Sequence, residues 1–308
     1  MKHILLLVTL YSLALKAQAA TYYVIVAGLG GEPDYEQRFT SAANDLNRIF
    51  KAAGPAAHVY TLIGGQATAA SFREAMNTVA HEAKSDDDLV VILIGHGSFD
   101  GVEYKFNLVG PDLTGAEIAA MCDRVAARRQ LIVNTTSASG GATQTLERPG
   151  RAVIAATKSG TEKNATVFAR YWVEALQDPS SDTDKSDSIS AIEAFRYATQ
   201  KTAAFYDAEK RLATEHAVFN DVGRGEAVRE AGNEQGALLS SFTLLRLGTS
   251  QLAANDPAKH LLLERKEELE QQIDTLKYRK AAMDAADYKK QLSDALVELA
   301  KIQEKLDQ

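Results

Sequence analysis

Two short β-branched runs constrain this chain more than anything else in it: DLVVILI at 88–94 and QLIVN at 130–134. Both are almost wholly apolar, so each must be covered on two faces, as strands inside a parallel sheet are. Each breaks into small and polar residues at its C-terminal end, GHGSFDG after the first and TTSASGG after the second. Parallel strands deliver such loops to one edge of the sheet, and ligands of open α/β sheets bind at that edge. His96, between Gly95 and Gly97, sits at one tip, and Ser137 sits at the other, just before Ser139-Gly140-Gly141. An imidazole beside a hydroxyl makes a nucleophilic dyad if the two tips are neighbours.

The rest of the chain alternates in the same way. YYVIVA at 22–27 reads as a first strand ending in Gly28-Leu29-Gly30-Gly31. A dinucleotide loop is not expected there, because Pro33 replaces the third glycine of G-x-G-x-x-G and the following EPDYE stretch would repel phosphate. Helical spacing is expected over 39–53, where Ala43, Leu46, Ile49 and Phe50 share a face, and over 68–83, with a strand at 58–63 between them. A hairpin or edge strand is expected at 102–108. A helix follows, capped by Thr114 with Glu117 as its capping-box partner, and it buries Ile118, Met121, Cys122 and Val125. A strand at 151–156 brings Thr157 to Glu162 to the same edge. Helices are expected at 166–176 and 189–213, and an edge strand at 238–247. Strands and helices alternating at this spacing predict an α/β fold: a mostly parallel, three-layer sandwich with right-handed crossovers.

Gly95-His96-Gly97 and Thr136-Ser137-Ala138-Ser139-Gly140 resemble the histidine and nucleophile motifs of the caspase-like and legumain-like cysteine peptidases. The resemblance covers approximately 20–230 and implies the three-layer caspase-like sandwich. It also implies a His96–Ser137 dyad and a substrate pocket to which the loop bearing Ser159 and Glu162 contributes. One departure matters: Ser137 stands where that family carries its cysteine, and the chain's single cysteine, Cys122, lies in the helix between the two strands. A thiol of pKa ~8.5 yields a thiolate readily, whereas a serine needs a well-placed base and an oriented third group. No Gly-x-Ser-x-Gly elbow surrounds Ser137. The expectation is therefore a degenerate pseudopeptidase that binds a peptide or protein ligand. The alternatives are an active endopeptidase using His96 and Ser137, and a structural module that assembles through its C-terminal helices.

A second informative stretch is DTDKSDSISAIE. Asp182, Asp184, Ser186, Ser188, Ser190 and Glu193 fall at positions one, three, five, seven, nine and twelve of a calcium loop, with Ile189 apolar at eight. The sixth position, normally glycine, is Asp187. Ca²⁺ is thus the one metal the sequence suggests, and no cofactor is required. The competing reading is an acidic loop entering a helix capped by Ser190, with Glu193 completing a capping box. Asn220 and Asp221 are further oxygen donors that could approach from outside the loop. His216, with no histidine or cysteine close to it in sequence, reads as structural.

Met1 to Ala19 has the form of a secretory signal peptide: a basic start, an apolar core and Ala17-Gln18-Ala19 as a cleavage site. That core is too short for a membrane span, and a secreted or periplasmic protein is expected. A net charge of -7 argues against nucleic acid and anionic membrane as partners. At the other end, Leu262, Leu269, Ile273, Leu276 and Met283 form one apolar seam, and Tyr288, Leu292, Leu296, Leu299, Ile302 and Leu306 another. The register changes near Asp284. This predicts a helical hairpin with Asp284 as N-cap, or else one continuous coiled-coil helix, available for a protein partner or self-association. Three segments are expected: 1–19, the sandwich at 20–250 and the helical appendage at 256–308.

Overall fold

The computed structural model describes residues 19–232, 234–254, 256 and 258–308. The signal peptide expected at 1–19 lies, except for Ala19, outside the described residues. The first half runs β1 (Thr21–Ala27), α1 (Pro33–Lys51), β2 (Ala57–Leu62), α2 (Ala69–Glu82) and β3 (Asp88–Ile94). A small antiparallel sheet of β4 (Gly97–Phe99), β5 (Tyr104–Phe106) and β6 (Leu113–Thr114) leads into α3 (Gly115–Asp123). Then come β7 (Arg129–Asn134), the short α4 (Thr143–Leu146), β8 (Arg151–Ala155) and α5 (Phe168–Gln177). The chain continues through β9 (Ser188–Ser190), α6 (Ala191–Ala208), β10 (Val218–Asn220), α7 (Ala237–Ser241), β11 (Thr243–Arg246) and α8 (Gly248–Ala254). It ends in α9 (His260–Arg279) and α10 (Ala285–Leu306).

The main sheet has six strands in the order β10-β8-β7-β3-β1-β2, all parallel except β10. Alternation along β1 divides the core into two layers. Tyr23, Ile25 and Ala27 join Phe39, Leu46, Trp172 and Phe195 on one face, while Tyr22, Val24 and Val26 join Phe72, Met76, Ile118 and Cys122 on the other. The α/β sandwich expected from the alternating runs is the observed architecture.

The structure departs from the sequence reading at three element boundaries, one set locally and two by contacts remote in sequence. Helix α1 begins at Pro33 rather than at 39, with proline in its first turn beside Asp34 and Glu36. Proline's fixed φ and missing N–H suit that turn, and carboxylates there favour the helix dipole. The strand expected at 238–247 is instead α7 followed by β11. The Asp221 carboxylate accepts from the N–H groups of Gly236, Leu238 and Leu239, which satisfies the first turn of α7 and shortens the strand. The helix expected from 189 starts at Ala191, because Ser188–Ser190 pairs with β11.

The C-terminal segment is a hairpin, not one continuous helix: Asp284 caps α10 through the N–H groups of Ala286 and Asp287. Helix α9 packs on α7 and α8. Arg246 grips Glu267 at 2.7 and 3.0 Å, and Lys266 donates to the Ser186 carbonyl at 2.6 Å. A polar cavity of about 270 Å³, lined by Asp88, Arg129, Arg246 and Glu267, separates α9 from the strand starts. The hairpin therefore occupies the amino edge of the sheet. Within it, burial pushes the Glu270 carboxyl up to about 8; Asp184 and Glu267 add to the rise and Lys266 opposes it. Among the described residues, no helix is long and apolar enough to cross a membrane.

Candidate functional site at the carboxyl edge

Strands β3 and β7 are hydrogen-bonded neighbours, with Leu93 opposite Asn134, so their tips stand side by side. Just beyond the pairing, the Leu93 carbonyl takes both the Thr135 N–H (2.9 Å) and its hydroxyl (2.7 Å). The next turn is held by a buried network: the Tyr104 hydroxyl meets Thr136 Oγ1 at 2.6 Å, and Asn134 Oδ1 accepts from the Thr136 N–H and hydroxyl. Ala138 then adopts φ +55, a left-handed turn that reverses the chain under β4.

This turn sets the direction of the Ser137 side chain. Its Oγ accepts from the Gly97 N–H at 3.0 Å and donates to the Gly97 carbonyl at 3.0 Å. The hydroxyl thus acts as a strand partner for one residue of β4. The fit requires glycine at 97, since a Cβ there would lie 2.6 Å from the Ser137 carbonyl oxygen and 2.7 Å from Thr136 Oγ1.

His96, one residue before Gly97, packs against helix α1. Its ring makes edge contacts with Tyr35 at 4.7 Å and Phe39 at 5.1 Å, between centroids. Burial holds its imidazole below the usual value, while the Gly30 carbonyl and Glu32 pull the other way. No hydrogen bond joins His96 to Ser137. The sequence places the two on adjacent tips, and there they are, with no direct hydrogen bond between the two side chains.

Ser159 and Glu162 also reach this edge, where both tie loops together. Ser159 Oγ pairs with Thr161 Oγ1 at 2.7 Å. The Glu162 carbonyl accepts from the Ala138 N–H at 2.8 Å, which joins its loop to the Ser137 turn. The Glu162 carboxylate takes the Lys158 N–H at 2.9 Å, the His216 N–H at 3.1 Å and His216 Nδ1 at 2.5 Å. His216 lies two residues before β10, whose antiparallel course starts at this same edge. Its partner lies 54 residues away, a distance at which no sequence spacing could signal the pair.

Three large apolar side chains stand exposed on the edge loops: Leu29 after β1, Val102 at the tip of the β4–β5 turn, and Leu212 before β10. Cys122 takes no part. It is buried, and burial pushes its thiol up to about 11.

The acidic loop lies at the opposite, amino edge. One carboxylate oxygen each from Asp182, Asp184 and Glu193 fall within 4.8 Å of one another. Asp182 accepts from the N–H groups of Ser186 and Asp187, and Asp184 from that of Ser186. Glu193 Oε1 takes the N–H and hydroxyl of Thr183, while Oε2 takes those of Ser190. The capping box at Ser190 is complete. Ser186 Oγ pairs with Ser188 Oγ at 2.9 Å. Asp187, in the position expected of glycine, adopts φ +60, and Lys185 adopts φ +61. Asn220 and Asp221 are not part of this group. The first bonds Glu147 and the 224–225 carbonyls, and the second caps α7.

No family model matches the chain, and no curated protein does. Among solved structures, it is similar to the Drosophila initiator caspase Dronc at 10% identity and TM-score 0.42, over 68% of this chain and 82% of that one. It is similar to protein GSU0716 from Geobacter sulfurreducens at 12% identity and TM-score 0.46, over 68% and 95%. Caspase-1 from Spodoptera frugiperda is similar at 13% identity and TM-score 0.46, over 71% and 92%. The likeness is one of fold.

Proposed function

We propose that this chain is an exported, caspase-like pseudopeptidase whose carboxyl edge binds a peptide or protein segment without cleaving it. The observation that carries the reading is the pair of hydrogen bonds between the Ser137 hydroxyl and Gly97, one accepted from the N–H and one donated to the carbonyl. A hydroxyl whose proton is donated to a backbone carbonyl is not poised to lose it to a base. The imidazole expected to act as that base is packed against Tyr35 and Phe39. Binding is supported by Leu29, Val102 and Leu212, which present apolar surface on loops at the edge where α/β sheets take ligands.

The test is turnover across a peptide library by the wild type and by Ser137→Ala. Neither should cleave, and a labelled peptide that binds the wild type should lose affinity in Val102→Asp. One observation favours a hydrolase instead: Glu162 orients the His216 imidazole at the same edge, the arrangement a general base needs. Wild-type cleavage that is lost in both Ser137→Ala and His216→Ala would replace the pseudopeptidase reading with that one.

On the same reading the Asp182–Glu193 loop takes Ca²⁺ weakly. In support, its carboxylates converge, and Asp187 already holds the left-handed backbone that the sixth position of such a loop needs.

A further inference from the structure

Helix α10 packs on α9 through Leu292, Ala295, Leu299 and Ile302, and this leaves a second face in solvent. Leu296 and Val297 are about half exposed on it, at 48% and 52%. Following the helical period, the face reads Lys289, Ser293, Leu296, Val297, Ala300 and Glu304, all exposed. The steps between these positions are four, three, one, three and four, a palindrome centred between Leu296 and Val297.

We infer that this face of α10 is the dimerisation surface of the protein, pairing antiparallel with α10 of a second copy about a twofold axis. Reversal about that centre places Leu296 against Val297 of the other copy. It opposes Ser293 to Ala300, small residues that let two helices approach to the ~8–10 Å of close packing. It also opposes Lys289 to Glu304, and the twofold axis makes each of these contacts twice. Among the described residues, neither the Lys289 nor the Glu304 side chain has an ion pair or hydrogen bond within the chain, so both charges are free for the pairing. The contact spans about 22 Å of helix at ~1.5 Å per residue. The charge complementarity is what selects a second copy as the occupant: a face with lysine at one end and glutamate at the other matches itself only when reversed.

Sedimentation velocity on the mature chain across the micromolar range tests this. The wild type should shift from monomer to dimer as concentration rises. Lys289→Glu sets two pairs of like charges against each other and should weaken the dimer about tenfold, the effect of ~1.4 kcal/mol. The double variant Lys289→Glu/Glu304→Lys should restore it, and Leu296→Glu should abolish it. All these positions are solvent-facing in the monomer, so thermal melts should find each variant folded. If Leu296→Glu unfolds, Leu296→Ala replaces it and should weaken the dimer. A wild type that stays monomeric throughout overturns the inference. So does a dimer indifferent to Lys289→Glu, or one that the charge swap fails to restore. The peptide-turnover assay reads the other edge of the molecule and fails or succeeds independently.

Discussion

Removing the Ser137 hydroxyl takes the partner from the N–H and carbonyl of Gly97, a half-buried residue packed against the buried Ser137 side chain. Ser137→Ala should therefore lower stability by about 1–3 kcal/mol in a denaturant melt, while peptide turnover stays flat. A catalytic serine with no structural duty would give the reverse pattern. At His96 the expectation concerns protonation. Burial depresses its pKa from the ordinary 6.5, so its contribution to stability is present above that value and falls away as pH drops through the folded pKa. A proton-NMR titration should find His96 titrating below 6.5, and a midpoint above it would contradict the packed-ring account. These two residues also mark where sequence reading stops. Their places on adjacent strand tips follow from two apolar runs and their glycine-rich ends. The directions of their side chains depend on the left-handed turn at Ala138 and the aromatic contacts from α1, neither of which a motif encodes. The pairing of Glu162 with His216 was beyond reach for the same reason, because only the folded loops bring the two together.

Among the elements, those with local signals were legible and those set by distant partners were not. Both capping boxes, at Thr114 with Glu117 and at Ser190 with Glu193, occupy four consecutive residues and form as read. The start of α7 was invisible because its cap, Asp221, lies 15 residues upstream of Gly236 across an irregular loop. The hairpin in place of a long helix follows from Asp284, a signal that was present beside the change in seam register. At the acidic loop, the cap and a bound cation would make different demands on Glu193, and a melt can separate them. Calcium added into the millimolar range should raise the melting temperature, with a Kd of ~10⁻⁴–10⁻³ M. Asp184→Asn keeps an acceptor for the Ser186 N–H but loses a charge, so it should erase that gain and leave the cap intact. A melting temperature that stays flat in the wild type through several millimolar calcium leaves the capping box as the loop's whole role.

Across the whole molecule, the hairpin and the acidic loop meet at the amino edge, where Lys266 reaches the Ser186 carbonyl and Glu270 lies close by. Burial lifts the Glu270 carboxyl from 4.5 to about 8. The folded chain thus holds a proton the unfolded chain has lost, and stability falls as pH rises between those two values. Glu270→Gln should stabilise the protein by about 1–2 kcal/mol at pH 8, a discount on ~1.4 kcal/mol per pH unit. The margin should vanish near pH 4.5, the group's ordinary value. Equal effects at both ends of that range would mean that Glu270 titrates normally.

The hairpin sits at one end of the sheet only. It docks at the strand starts, while Ser137, His216 and the apolar loop tips stand at the strand ends. Two chains joined back to back through α10 would carry two outward-facing edges on one rigid body. A target displaying the recognised segment at repeated intervals would then be held at two points, and release would require both to let go together. Such bivalence multiplies retention by ~10²–10⁴ without improving either contact, so on the proposed reading an edge that binds weakly would become a firm grip on a patterned surface and stay a fleeting one on a lone peptide.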